Sequence, residues 1–310
     1  MNLQHLVEHY IAFQQALGVK FQANAYVLRA FGRAMGTAID VADVRAEQVV
    51  AFLTGTGPIT RTWHLRFIVL RTFFRFAVSR GYLPAAPVPT VIPKLPPPFV
   101  PYIYSREELR RLFQTARSQY GRPTCLTPTT LHAFLLTLYG AGLRLQEAIN
   151  LNQADVNLVE AMLTVHRTKF GKTRLVPVGP MLTQVMAAYS TDAPERGACV
   201  PFFTTRTGSR VTPAQIQHHF RRLCVRVGIQ RTDGGRYQPR LHDLRHAFAV
   251  HRLTSWYRQG ADVQRLLPQL STYLGHVELA DTQVYLTLTP DLLHEAGKRF
   301  EHYVRRECHD

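Results

Sequence analysis

One short stretch, PRLHDLRHAFAVHRL (Pro239 to Leu253), holds His242, Arg245, His246, His251 and Arg252. The Leu, Phe, Ala and Val among them have the spacing of a helix that packs. A packing helix needs a reason to carry so many cations. Three readings are open: a metal, a phosphate, or a solvated face. His242 and His246 are four apart, as two zinc ligands on one helical face would be. Yet Asp243 stands where the HExxH pattern of zinc hydrolases has Glu, and Arg245 would set a positive charge beside the cation. No third ligand stands nearby in the sequence. An anion suits the stretch better. His242 and Arg245, three apart, share a face. Both donate to the non-bridging oxygens of a phosphate, the guanidinium through a planar fork that keeps its charge.

Two further stretches hold residues of the same chemical kind. In GAGLRLQEAINL (Gly140 to Leu151), Arg144 follows two glycines in an otherwise apolar, helical-looking region. An arginine tending to burial needs an anion. Glu147 supplies an internal partner or orients Arg144 toward an external one. In YLGHVELADTQVYLTL (Tyr273 to Leu288), Gly275 is placed to end a helix and present His276 at its close. Tyr285 follows between Val284 and Leu286, a setting that by itself means core packing.

These residues must be positioned by helices and one hairpin. Leu3, Leu6, Tyr10, Phe13 and Leu17 recur at helical spacing. A later helix aligns Trp63, Phe67, Leu70, Phe74 and Ala77, with Arg61, Arg71, Arg75 and Arg80 off the stripe. SREELRRLF opens with Ser105 and Glu108 as a capping box, and TPAQ with Thr212, Pro213 and Gln215 as another. Ile216, Phe220, Leu223 and Val227 then form a buried stripe. Between these helices, MLTVHRTKFGKTRLVPVG (Met162 to Gly179) alternates apolar and polar residues around a KFGK turn, a hairpin with Lys169 and Lys172 near its tip. PDLLHEAGKRFEHYVRR is a last amphipathic helix, with Leu292, Leu293, Ala296, Phe300 and Tyr303 on its apolar side. The proline-rich PAAPVPTVIPKLPPPFVP (Pro84 to Pro101) favours extended backbone and reads as a linker between two domains.

Composition narrows the class. The chain has 310 residues, long enough for two domains, and 46% hydrophobic content suits a globular core. Lys and Arg number 37 against 21 Asp and Glu, a formal net charge of +16 that suggests a polyanionic partner. A membrane surface is the weaker choice. The longest apolar run, near AFLLTLYGAGL, is too short to span a bilayer and holds Gly140 and Gly142. MNLQHLVEHY carries Glu8 and lacks an apolar signal core, which argues against secretion. Cys125, Cys199, Cys224 and Cys308 form no CxxC pair and read as reduced cysteines of a cytoplasmic protein.

Taken in order, Arg144 in GLRLQE, Lys169 at the hairpin tip, HDLRH, LGH and Tyr285 form a set that resembles the tyrosine recombinases, the phage-integrase and Xer-like family. The resemblance spans the whole chain. It implies a mainly α fold with a small β-sheet or hairpin element. A helical core-binding domain would cover residues 1–83 and clamp DNA, with the linker at 84–101 and a mixed α/β catalytic domain at 102–310. It implies Arg144, Lys169, His242, Arg245, His276 and Tyr285 as the catalytic set, supported by Glu147. The family hairpin often has glycines on both sides of its lysine. Here Thr168 and Phe170 flank Lys169, so Lys172 is a rival for its role. Pro268 and the extra apolar residues ahead of LGH are a second departure. Arg61, Arg71, Arg75 and Lys172 are candidate DNA-backbone contacts.

The implied chemistry is consistent with these residue types. Tyr285 would attack a phosphodiester, form a 3′-phosphotyrosine and expel a 5′-hydroxyl protonated by Lys169. Two arginines and two histidines would stabilise the phosphate charge, so neither a metal nor another cofactor is called for. The phosphotyrosine stores the ester energy, so resealing needs no ATP. The expected partners are double-stranded DNA, a homotetramer in the synaptic complex, and accessory or partner recombinase proteins, in service of a mobile element, plasmid or chromosome. The alternatives are a type IB topoisomerase-like enzyme that relaxes DNA and a catalytically silent DNA-binding regulator.

Overall fold

A computed structural model describes residues 1–57, 59–96, 99–118, 125–166, 173–191, 200–235, 237–288 and 292–298. The chain divides into two compact units, Met1–Phe99 and Val100–Asp310.

The first unit is helical: α1 (Leu3–Ala16), α2 (Gln22–Met35), α3 (Ala46–Thr54) and α4 (Arg61–Ser79). The Asn2 side chain caps α1 by accepting the Gln4 and His5 N–H groups. Leu3, Leu6, Tyr10, Leu28, Phe31, Trp63, Phe67, Phe73 and Phe74 build its core. The stripe read on α4 is buried, while Arg61, Arg71 and Arg75 are exposed. The stripe read on the first helix runs one residue too far. Leu17 is the C-cap of α1 and is 63% exposed, because Gly18 enters the left-handed region (φ 77°) and turns the chain away. The proline-rich stretch is not wholly detached: Ala86 and Val88 pack against the first unit's core.

The second unit holds α5 (Arg106–Arg117), α6 (Pro128–Gly140), α7 (Leu145–Asn150), α8 (Pro180–Thr191), α9 (Pro213–Arg226), α10 (Leu241–Arg258), α11 (Val263–Leu274) and α12 (Ala280–Gln283). A 3-10 turn at Val284–Thr287 follows α12. Both predicted capping boxes close: Ser105 with Glu108 on α5, Thr212 with Gln215 on α9. The predicted hairpin forms as β2 (Met162–Val165) and β3 (Arg174–Pro177), antiparallel, with Val165 opposite Arg174. A two-residue strand, β1 (Val156–Asn157), adds to β2 and completes a three-stranded sheet. Leu163, Val165 and Val176 turn inward from that sheet. The extra apolar residues ahead of LGH have a plain use: Leu267 and Leu270, with Leu274 of LGH itself, form the buried face of α11, packed in one cluster with Phe248 and Tyr285. Among the described residues, no helix is long and apolar enough to cross a membrane.

Candidate active site

The site is built around one carboxylate. Glu147 sits at the third position of α7, where its Oε2 accepts the Arg144 backbone N–H at 3.0 Å in a capping box. Its Oε1 accepts from Arg144 Nη1 at 2.8 Å. Arg174, at the start of β3, reaches the same carboxylate with both terminal nitrogens, at 3.0 and 2.8 Å. Arg245 Nη1, from α10, lies 4.0 Å from Glu147 Oε2. Burial alone would raise the Glu147 acid, but the hydrogen bonds from Arg174 and Arg144 overcome it and hold the carboxyl at about 2. Three guanidiniums thus share one carboxylate, and the cluster carries a positive excess in a half-dry setting.

The same three arginines cap a helix end. The last carbonyls of α11 and its cap lack helical partners. Arg174 Nε donates to Tyr273 O at 3.0 Å, Arg245 Nη2 to Leu274 O at 2.6 Å, and Arg144 Nη2 to Gly275 O at 3.0 Å. Cations at a helix C-terminus also meet the negative end of its dipole. As the sequence predicts, Gly275 ends the helix in the left-handed conformation (φ 69°). A Cβ there would stand 2.9 Å from an Arg174 nitrogen, so glycine is needed twice over. Gly142 serves the opposite side. It adopts φ 58° between α6 and α7, and its carbonyl accepts Arg245 Nη1 at 2.7 Å. A Cβ on Gly142 would lie 2.7 Å from the Phe248 ring.

Burial divides the arginines differently from the sequence reading. Arg144 is not inside a helix: it is the N-cap of α7, and its side chain is 29% exposed. Arg245 is the buried one, at 1% exposure. Burial, with the charge of Arg144 added, pulls its guanidinium down to about 10, so it stays a cation at neutral pH.

Tyr285 enters from the 3-10 turn. Its ring is buried in the cluster with Phe248, Leu274 and Leu292. Its hydroxyl lies 3.1 Å from His246 Nδ1. Burial raises the phenol's pKa, and the adjacent Arg245 guanidinium, then Arg144, pull it back. His276, just past α11, binds Thr282 Oγ1 through Nδ1 at 2.7 Å, and its ring lies along that of Tyr285. His242 opens the first turn of α10 and is exposed. It meets His246 edge to face, ring centroids 4.7 Å apart. Burial, reinforced by neighbouring arginines, depresses both His246 and His276 to about 4, so both are neutral at neutral pH. Arg144, Glu147, His242, Arg245, His276 and Tyr285 are therefore brought together. Lys169 and Lys172 lie outside the described residues. The hairpin stem that leads to them is pinned on each strand: His166 Nε2 to Asp155 Oδ1 at 2.9 Å, and Arg174 to Glu147. Among the described residues, no three His, Cys, Asp or Glu side chains gather closely enough to hold a metal ion.

The profile of the Phage integrase family matches residues 104–291, more than half of the chain. The chain belongs to the phage integrase family. It is a tyrosine-type site-specific recombinase. A Sinorhizobium fredii protein named as an integrase/recombinase, y4rB, is 36% identical over 308 residues, covering 97% of each chain. Tyrosine recombinase XerC of Chlorobaculum parvum is 29% identical over 276 residues, covering 83% of this chain and 77% of its own. The fold is that of a lambda integrase fragment solved as a dimer on a COC′ core site, with a TM-score of 0.68 at 17% identity, over 90% of this chain and 96% of that one.

Two residues of this recombinase's site escaped sequence reasoning. Arg174 stands five residues beyond Lys169 in a strand, and nothing in its local spacing marks it out. His246 reads as a packing and hydrogen-bonding residue, and its partner proves to be the Tyr285 hydroxyl.

Proposed function

We propose that this recombinase cleaves and rejoins DNA strands through a 3′-phosphotyrosine at Tyr285. The observation that carries the reading is the Tyr285 hydroxyl, set beside Arg245 in a cluster where three guanidiniums share one carboxylate. Such a cluster has unspent positive charge for a phosphate. Its donors are held in place before the anion arrives, so little reorganisation opposes the charge that develops in the transition state. Arg144 has solvent access and is the first donor a phosphate meets. Arg245, backed by Gly142 O and Leu274 O, stabilises the attacking phenol oxygen and the phosphate beside it. His242 and His276 complete the ring of donors. Lys169, with Lys172 as rival, is the proposed acid for the departing 5′-oxygen.

The solved relatives support the larger assembly. A lambda integrase tetramer is seen on a Holliday junction, and a Tn1549 transposon integrase with circular intermediate DNA. We infer the same classes of partner here: double-stranded DNA gripped by both basic units, and a tetramer at synapsis, serving a mobile element. On this reading residues 1–83 clamp the duplex and residues 102–310 carry out the chemistry. The test is a nicked suicide duplex built on inverted repeats that flank the gene. Wild-type protein should form a covalent adduct stable to denaturant. Tyr285→Phe should bind the duplex with unchanged affinity and form none. An adduct with Tyr285→Phe, or none with wild type, overturns the reading.

A further inference from the structure

His246 and His276 both meet Tyr285, His242 meets His246, and the bonding of the three separates them. His276 has committed Nδ1 to Thr282 Oγ1 at 2.7 Å. His242, in the first turn of α10, is itself exposed, and among the described residues its ring nitrogens meet no hydrogen-bond partner, which leaves them for a phosphate. His246, one turn deeper, points Nδ1 at the Tyr285 hydroxyl at 3.1 Å. We propose that His246 is a catalytic residue of its own: the base that takes the Tyr285 proton during strand cleavage, and the acid that returns it during resealing. The proposal rests on the phosphotyrosine reading above.

The step balances without a further reactant. The Tyr285 oxygen forms a bond to phosphorus while its proton passes to His246 Nδ1. The bond from phosphorus to the 5′-oxygen breaks, and that oxygen takes a proton from the hairpin lysine. In resealing, a 5′-hydroxyl attacks the phosphotyrosine and gives its proton back to the hairpin lysine, while protonated His246 returns its proton to the departing phenolate. For this, His246 must hold its own hydrogen on Nε2 and be neutral beforehand. Its surroundings favour that state. It faces His242 and Arg245 on its own helix, Arg240 at the helix cap, and His276 and Tyr285 from the C-terminal segment. Burial is the main penalty on a second charge there, and the Arg240 and Arg245 guanidiniums add to it. A bound phosphate, by adding negative charge, makes the imidazole a better base at the moment it is needed.

The conservative variant His246→Asn keeps an acceptor near the place of Nδ1 but holds no proton. In single-turnover cleavage of the suicide duplex, it should be slower by roughly 10²-fold at neutral pH, the usual scale for a lost general base. Its rate should then climb about tenfold per pH unit in alkali, as hydroxide takes the phenol proton, while the wild-type profile stays flat. Equal rates with parallel profiles overturn the proposal. A measurement without any variant at position 246 guards against misfolding. Histidine-selective nitrogen labelling of the full chain should show His246 protonated at Nε2 and bare at Nδ1, with its signal shifting in Tyr285→Phe. A hydrogen on Nδ1 overturns the proposal as well. Persistence of the adduct in Tyr285→Phe strikes instead at the phosphotyrosine reading.

Discussion

The two units hold their arginines in opposite ways. On α4 of the first unit, Arg61, Arg71 and Arg75 are exposed, and among the described residues none of them meets a carboxylate. Arg71 rests over the Phe67 ring at 5.6 Å, and Arg66 over Phe52 at 5.4 Å, contacts that support the side chain and leave its charge to solvent. In the second unit Arg144, Arg174 and Arg245 are fixed by Glu147 and by the carbonyls at the end of α11. Loose cations suit a partner whose backbone must be tracked at many points, since each contact gains mainly by releasing counterions. Locked cations suit a single phosphate whose charge changes during reaction. On the proposed reading one residue type serves binding in one place and chemistry in the other, and the difference lies in what holds the guanidinium.

The contrast breaks most visibly at Arg245. Arg245→Ala should slow adduct formation by about 10³-fold, the scale for a lost transition-state donor. It should also lower stability by about 1–3 kcal/mol, because Gly142 O and Leu274 O lose their partner. Arg245→Lys should not restore the rate, since an ammonium lacks the fork. Cleavage within a few-fold of wild type would show that the locked arginine is only structural.

Glu147 tests the locking by acid. Its folded carboxyl, at about 2, lies below the ordinary 4.5. A depressed acid contributes stability that is present above its unfolded value and is lost as pH falls through its folded value. Wild type should therefore lose on the order of 3 kcal/mol between about pH 5 and pH 2 that Glu147→Gln does not lose. Denaturant melts across that window compare the two proteins. Parallel curves would mean that Glu147 is not the clasp.

A smaller effect is expected at Gly142. With φ 58° and Phe248 2.7 Å from a new Cβ, Gly142→Ala should lower stability by about 1–3 kcal/mol. Cleavage should fall as well, since the carbonyl that holds Arg245 shifts. The smallest effect belongs to the loose arginines. Arg71→Gln and Arg75→Gln should each reduce the slope of log affinity against log salt by about 1 and leave the cleavage rate of bound complex unchanged. A change in that rate would erase the distinction between the two classes.

Local features of the fold were legible in the sequence because they are made by neighbours. The Ser105–Glu108 and Thr212–Gln215 boxes, the Met162–Gly179 hairpin and the Gly275 helix end each depend on residues within a few positions. Leu17 failed because periodicity does not register where a glycine turns the chain. Arg144, Glu147, His242, Arg245, His276 and Tyr285 were legible in the sequence, as was the Arg144–Glu147 contact at a spacing of three, but the longer-range wiring was not. By its sequence Arg144 reads as the arginine tending to burial, yet Arg245 is the buried one. Their acceptors include Gly275 O for Arg144 and Leu274 O for Arg245, 131 and 29 residues away, which no spacing rule reaches. Arg174 and His246 were passed over for the same reason: their partners, Glu147 and Tyr285, lie 27 and 39 residues away.

The proposed chemistry is the attack of Tyr285 on the phosphate held by this guanidinium cluster. Its most direct test is to trap the adduct on a suicide duplex, digest the DNA and the protein, and map the nucleotide remnant by mass spectrometry. The account predicts the remnant on the peptide bearing Tyr285, joined through a 3′-phosphate. A remnant on any other residue, or one joined through a 5′-phosphate, would contradict it.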